Sequence, residues 1–166
     1  MQIHINDTVN DSIVDGVGLR FTIFVQGCPF RCAGCHNPQT HPFEGGRWVE
    51  VADLITEAKK NPLLDGITIS GGEPLSQSRR VAELARMAKE NGLSVWLYTG
   101  HVWERVITNP ILKEELLPYV DVLVDGQFEE DRQSYELRFR GSSNQRLIDV
   151  KKSLESGCVE LWGESE

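Results

Sequence analysis

Short runs rich in β-branched and aromatic residues alternate along this chain with stretches of helical spacing, and that alternation admits few folds. LRFTIFVQ (19–26), GITIS (66–70), LSVWLY (93–98) and VDVLVD (120–125) read as strands. Between them, residues 48–60 place Val51, Leu54, Ile55 and Ala58 on one helical face, with Lys59 and Lys60 at the favourable end. Residues 77–91 do the same with Val81, Leu84, Ala85 and Ala88, and Asn91-Gly92 supplies the stop. Helical pieces across 102–118 are broken by Pro110 and Pro118. Residues 1–5 predict a short edge strand, and 147–150 and 159–162 weaker late strands. Such alternation predicts βαβ units with right-handed crossovers. A complete eight-unit barrel takes roughly 200–250 residues, and this chain has 166. The expected fold class is therefore α/β: a partial (β/α) barrel, with an open, mostly parallel sheet and helices on its outer face. Length predicts one domain over 1–166.

Unusual residues follow each strand. A cysteine loop comes after the first, Gly71-Gly72-Glu73-Pro74 after the second, Thr99-Gly100-His101 after the third and Asp125-Gly126-Gln127 after the fourth. In a parallel α/β sheet these positions gather along the carboxyl edge, where open sheets and barrels place their sites. Gly71 and Gly72 would let a ligand approach the backbone, and Glu73 would present a carboxylate to a cation. The plain alternative is a tight strand-to-helix turn started by Pro74.

Within the cysteine loop, Cys28, Cys32 and Cys35 give the spacing C-x3-C-x2-C, so three of the four cysteines lie within eight positions. A four-iron cluster usually takes four thiolates. Three from one loop would leave one iron open, as catalytic metal sites do and closed structural ones do not. The competing reading is structural zinc held by the three cysteines plus His36 or His41. Zinc modules bring their ligands as two separated pairs, whereas Cys158 stands alone and reads as a free structural thiol.

Composition narrows the partners. The net charge is −8, which repels a phosphate backbone. Arg132, Arg138, Arg140 and Arg146 are interleaved with Glu129, Glu130, Asp131 and Glu136, a mixed-charge surface and not a nucleic-acid footprint. No apolar run approaches the ~18 residues of a membrane span, and the first residues lack the features of a signal peptide. Clustered cysteines read as metal ligands in a reducing compartment, so the expected location is cytoplasmic. The segment 126–146 lacks periodicity and reads as a functional loop. Arg20 and Arg146 read as surface ion pairs, Asp125 as a ribose ligand or a turn cap, and Tyr98 as packing.

C-x3-C-x2-C with GGEP resembles the radical S-adenosylmethionine superfamily. DGVGLR (15–20), FVQGCPFRCAGCHNP (24–38), SGGEPL (70–75), YTG (98–100), DVLVDGQF (121–128) and RGSSNQRLIDV (140–150) are arranged as in anaerobic ribonucleoside-triphosphate reductase-activating proteins. The resemblance spans nearly the whole chain. It implies that Cys28, Cys32 and Cys35 hold one [4Fe-4S] cluster, and that Gly71, Gly72 and Glu73 orient the methionine end of S-adenosylmethionine. Superfamily members often carry an aromatic residue where this chain has Gly34, which leaves adenine to the backbone of Gly34, Cys35 and His36. The resemblance further implies reductive cleavage to methionine and a 5′-deoxyadenosyl radical, with no catalytic side chain beyond the cluster. The radical would take hydrogen from a glycine-bearing loop of the reductase large subunit, with an electron donor such as flavodoxin. Two neighbouring chemistries compete: a small enzyme acting on a free metabolite, like 7-carboxy-7-deazaguanine synthase, and the pyruvate formate-lyase activase, which usually has a longer chain.

Overall fold

The computed structural model describes residues 1–163. Seven strands form one open sheet: β1 (Gln2–Ser12), β2 (Arg20–Val25), β3 (Arg47–Glu50), β4 (Gly66–Gly71), β5 (Ser94–Tyr98), β6 (Val122–Asp125) and β7 (Arg146–Asp149). Their order is β3-β1-β2-β4-β5-β6-β7, so β3 and β7 are the edges. The pairings β2–β4, β4–β5 and β5–β6 are parallel. Those of β1 with β2, β1 with β3, and β6 with β7 are antiparallel. The expectation of a mostly parallel sheet thus holds for the four central strands and fails at both margins. It fails because β1, β3 and β7 join their neighbours without a helical crossover, and only crossovers enforce parallel pairing.

Period-two alternation separates the sheet's faces. On one face, Phe21, Ile23, Val25, Ile67, Ile69, Val95, Leu97, Leu123 and Ile148 form the main core. They pack against α1 (Val51–Lys59), α2 (Ser78–Glu90), α3 (Trp103–Val106) and α4 (Val150–Ser156) through Leu54, Ile55, Val81, Leu84, Ala85, Trp103, Val106 and Val150. The helices therefore share one face. On the other face Trp96, Val122 and Val124 make a smaller cluster with Tyr98, Phe139, Leu147 and Trp162. Next to it run polar side chains, Arg20, Thr22 and Thr68, all buried.

Two expected elements differ. The first strand continues to Ser12, because residues 8–12 complete a ladder with β2. The predicted strand at 159–162 is a single bridge between Leu161 and Ile148. Arg20 is no surface residue. It is 1% exposed, and its five N–H donors reach Thr68 Oγ1 (2.8 Å), the Val17 carbonyl (2.9 Å), Ser94 Oγ (3.0 Å), and the Ile67 (2.7 Å) and Ser94 (3.0 Å) carbonyls. Those partners sit at the amino ends of the parallel strands, which Arg20 seals. Among the described residues, no helix is long and apolar enough to cross a membrane.

Candidate active site

The ends of β2, β4, β5 and β6 converge, as the strand-end pattern predicts. Cys28, Gly71, Gly72, Glu73, Thr99, Gly100, Gly126 and Gln127 all line one cavity of about 610 Å³. Cys32, Cys35 and His36 line it as well, and so does His41. All four cysteines are free: Cys28 is buried, Cys32 and Cys35 are half-buried, and Cys158 is exposed. Cys158 lies off the cavity beside Ser156 and Glu160, so it is free as expected but packs into no core. Among the described residues, no group of three His, Cys, Asp or Glu side chains has the spacing to hold a single metal ion.

Backbone pairing closes the cysteine loop at its base. Gly27 N–H donates to the Thr40 carbonyl (2.7 Å) and Cys28 N–H to the His41 carbonyl (3.0 Å). Within the loop, the Asn37 N–H donates to Cys35 Sγ at 3.4 Å. Burial pushes the Cys32 thiol up, and a backbone hydrogen bond from Phe128 opposes it.

The glycine pair packs closely against the protein's own backbone. A Cβ on Gly72 would lie 2.3 Å from the Gly27 carbonyl oxygen, and one on Gly71, at φ 100°, 2.6 Å from the Val25 amide nitrogen. These glycines let the end of β4 nest against the base of the cysteine loop, where the Glu73 N–H donates to the Gly27 carbonyl at 2.9 Å. Both remain on the cavity wall.

Glu73 caps the turn that follows β4 and lines the cavity. Its Oε2 accepts from Leu75 N–H (2.8 Å), capping the 3-10 turn Pro74–Gln77, and from Thr99 Oγ1 (2.8 Å). Its Oε1 accepts from Gly100 N–H (2.7 Å). A carboxylate offers about four lone-pair sites, so three donors leave one site on Oε1. Burial holds this carboxyl above the ordinary carboxylate range, and its hydrogen bonds and the nearby His101 only partly offset that. A buried carboxylate in that condition favours a cation.

Asp125 is a cap and an ion-pair partner, and carries no free face for a ribose. It is 1% exposed. It accepts from the Trp103 N–H (2.8 Å) at the start of α3, and from Arg146 Nε (3.1 Å) and Nη2 (2.6 Å). Arg146 also pairs with Glu104 at 2.7 Å, the ion pair expected for it. Tyr98 packs, and its hydroxyl also donates to the Phe139 carbonyl.

Sequence reasoning missed much of the far wall: Ile13, Val14 and Asp15 from the β1–β2 connection, and Leu137 to Gly141 with Gln145 from the long loop. DGVGLR and RGSSNQR marked both places, but only as a likeness. At Gly34 (φ 74°), a Cβ would meet the Glu130 carboxylate at 2.5 Å, so the long loop occupies the space a side chain there would take. Phe128 sits 5.1 Å from the exposed His36.

The model of the 4Fe-4S single cluster domain matches residues 14–148. The activating protein of anaerobic ribonucleoside-triphosphate reductase from Pasteurella multocida is 34% identical over 142 residues, 80% of this chain and 89% of its own. That from phage T4 is 35% identical over 141 residues, 81% and 86%. The chain belongs to this family of activating proteins. The chain is also similar to the pyruvate formate-lyase 1-activating enzyme of Escherichia coli, 34% identical over 154 residues; these are 90% of this chain but 61% of that enzyme. A crystal structure of QueE from Escherichia coli overlaps 61% of this chain and 55% of its own, at a TM-score of 0.48 and 22% identity.

Proposed function

We propose that this activating protein is a glycyl-radical-generating radical S-adenosylmethionine enzyme acting on anaerobic ribonucleoside-triphosphate reductase. The observation that carries the reading is one cavity shared by three free thiols and a buried carboxylate with a spare acceptor site. Three soft thiolates on one loop suit an iron–sulfur cluster with an open iron, and about 610 Å³ suits a nucleoside-sized ligand.

In this reading Cys28, Cys32 and Cys35 hold a [4Fe-4S] cluster, which when bound supplies the electron that splits S-adenosylmethionine into methionine and a 5′-deoxyadenosyl radical. Glu73 receives the methionine ammonium at its free Oε1 site, and the ends of β4 and β5 fix its carboxylate through Leu75, Thr99 and Gly100. Gly71 and Gly72 hold the methionine backbone against the wall. Gly34, Cys35 and His36 face the adenine, with Phe128 behind His36. Trp96, Phe139 and Trp162 close the opposite face of the sheet to water. The sheet is a partial (β/α) barrel whose missing wall admits the glycine-bearing loop of the reductase, and flavodoxin serves as electron donor. The setting is the cytoplasm.

The test is anaerobic. The iron-loaded, reduced protein should show a [4Fe-4S]+ paramagnetic signal that changes with S-adenosylmethionine, form 5′-deoxyadenosine, and leave a glycyl radical on the reductase. Colourless protein retaining one zinc ion, without cleavage, would overturn the reading. A radical formed on pyruvate formate-lyase and not on the reductase would overturn the partner alone.

A further inference from the structure

The segment 126–146 carries a hydrogen-bond network that the proposed function leaves unused. Gln145 Oε1 accepts from the N–H groups of Gly141 (2.9 Å) and Ser142 (3.2 Å), and its Nε2 donates to the Gly126 carbonyl at 3.0 Å. Asn144 Nδ2 donates to the Gln127 carbonyl at 2.7 Å. Ser142 Oγ, fully buried, accepts from the Glu129 N–H at 3.1 Å. GSSNQR is thus a clasp that fixes the strand-end segment DGQFE (125–129) at residues 126, 127 and 129. Inside that tied stretch the Gln127 side chain reaches the cysteine loop, with Oε1 3.7 Å from Cys32 Sγ. A carboxamide serves either state of that sulfur, since Oε1 accepts from a thiol and a turned Nε2 donates to a thiolate. Cys35 differs, because its donor is Asn37 of its own loop.

We propose that the GSSNQR clasp sets the reduction potential of the cluster by holding the Gln127 carboxamide against the Cys32 sulfur, where its turned Nε2 donates to the thiolate. The inference rests on the cluster reading above. One added electron increases the negative charge on the ligating sulfurs, and N–H donors stabilise that charge more than the oxidised state. Donors on cluster sulfurs therefore raise the potential, as outer-shell partners do at metal sites generally. Gln127, Asn144 and Gln145 are positioning residues that act through Cys32.

The experiment is a redox titration of the iron-loaded protein followed by paramagnetic resonance, comparing wild type with Gln127→Leu and Asn144→Ala. Each variant should have a lower midpoint potential at equal iron content, Gln127→Leu by losing the donor and Asn144→Ala by releasing the carbonyl that fixes Gln127. A second measurement needs no variant to load: reduced wild type carrying 15N in its glutamine carboxamides should show a hyperfine coupling from the cluster to one nitrogen. Unmoved potentials in both loaded variants, or wild type without that coupling, overturn the proposal while leaving the cluster reading intact. Wild type that assembles no cluster overturns both.

Discussion

At the amino ends of the parallel strands a buried guanidinium, Arg20, spends all five donors on neutral carbonyls and hydroxyls. At the carboxyl ends a buried carboxylate, Glu73, takes three donors and keeps one acceptor site toward a cavity. Both charges sit out of water, and burial opposes both: Arg20 is lowered to about 10, and Glu73 is raised. The first end is saturated and closed, whereas the second is left one bond short and open. Saturation locks strands together, and a spare site next to three thiols leaves capacity for a ligand.

The sharpest break of this contrast is at the thiols. Cys32→Ala should lose nearly all bound iron and all S-adenosylmethionine cleavage, while the cluster-free protein melts within about 2 °C of wild type. Iron content and a thermal melt decide it, and a large fall in melting temperature would mean that the open end also carries stability. Arg20→Ala should do the reverse. It strands carbonyls from three segments and leaves a cavity, costing about 4 kcal/mol in urea unfolding. Cleavage per folded, loaded molecule should stay within about twofold, and a larger fall would join the two ends.

Arg146→Met tests a smaller charge at the same open edge. It leaves Asp125 with two backbone donors, the Trp103 amide and the N–H of residue 146, for a loss of about 2 kcal/mol readable by urea unfolding. The same stability in wild type and variant would show that Arg146 contributes only surface pairing. Glu73→Gln is the finest probe. Whichever way the amide turns, its NH2 faces a backbone N–H, costing about 1–2 kcal/mol, and binding of S-adenosylmethionine should weaken about tenfold. A carboxyl whose folded pKa is raised contributes stability below its unfolded pKa, near 4.5, and loses it as pH rises through the folded value. The variant's deficit should therefore be largest near pH 4 and shrink as pH rises. A deficit that grows with pH would mean the fold stabilises the charged form.

The strands and helices of the centre were legible because their apolar periodicity is strong. Ile67, Ile69, Val95 and Leu97, and the stripe from Val81 to Ala88, pack where their spacing places them. The second half of β1 was not legible. Residues 6–12 are largely polar, and their extended state comes from pairing with β2, a non-local cause that outweighs local propensity. Arg47–Glu50 was absorbed into the helix pattern that follows, and only its pairing with Gln2–Ile5 makes it a strand. The convergence of four strand ends could be read from topology. The fate of single polar residues could not: Arg20 and Asp125 took protein partners, and partner choice depends on three-dimensional proximity.

The base of the cysteine loop is pinned by Gly27–Thr40 and Cys28–His41 backbone pairing. Domains whose metal is their core unfold when it leaves. Here the main core is made by strand and helix side chains other than the three thiols, so loss of an inorganic group should disturb only the tip carrying Cys32 and Cys35. Damage by oxygen should then be a local and repairable event: a molecule stripped of iron should stay folded, escape the proteolysis that awaits unfolded chains, and be refilled in place.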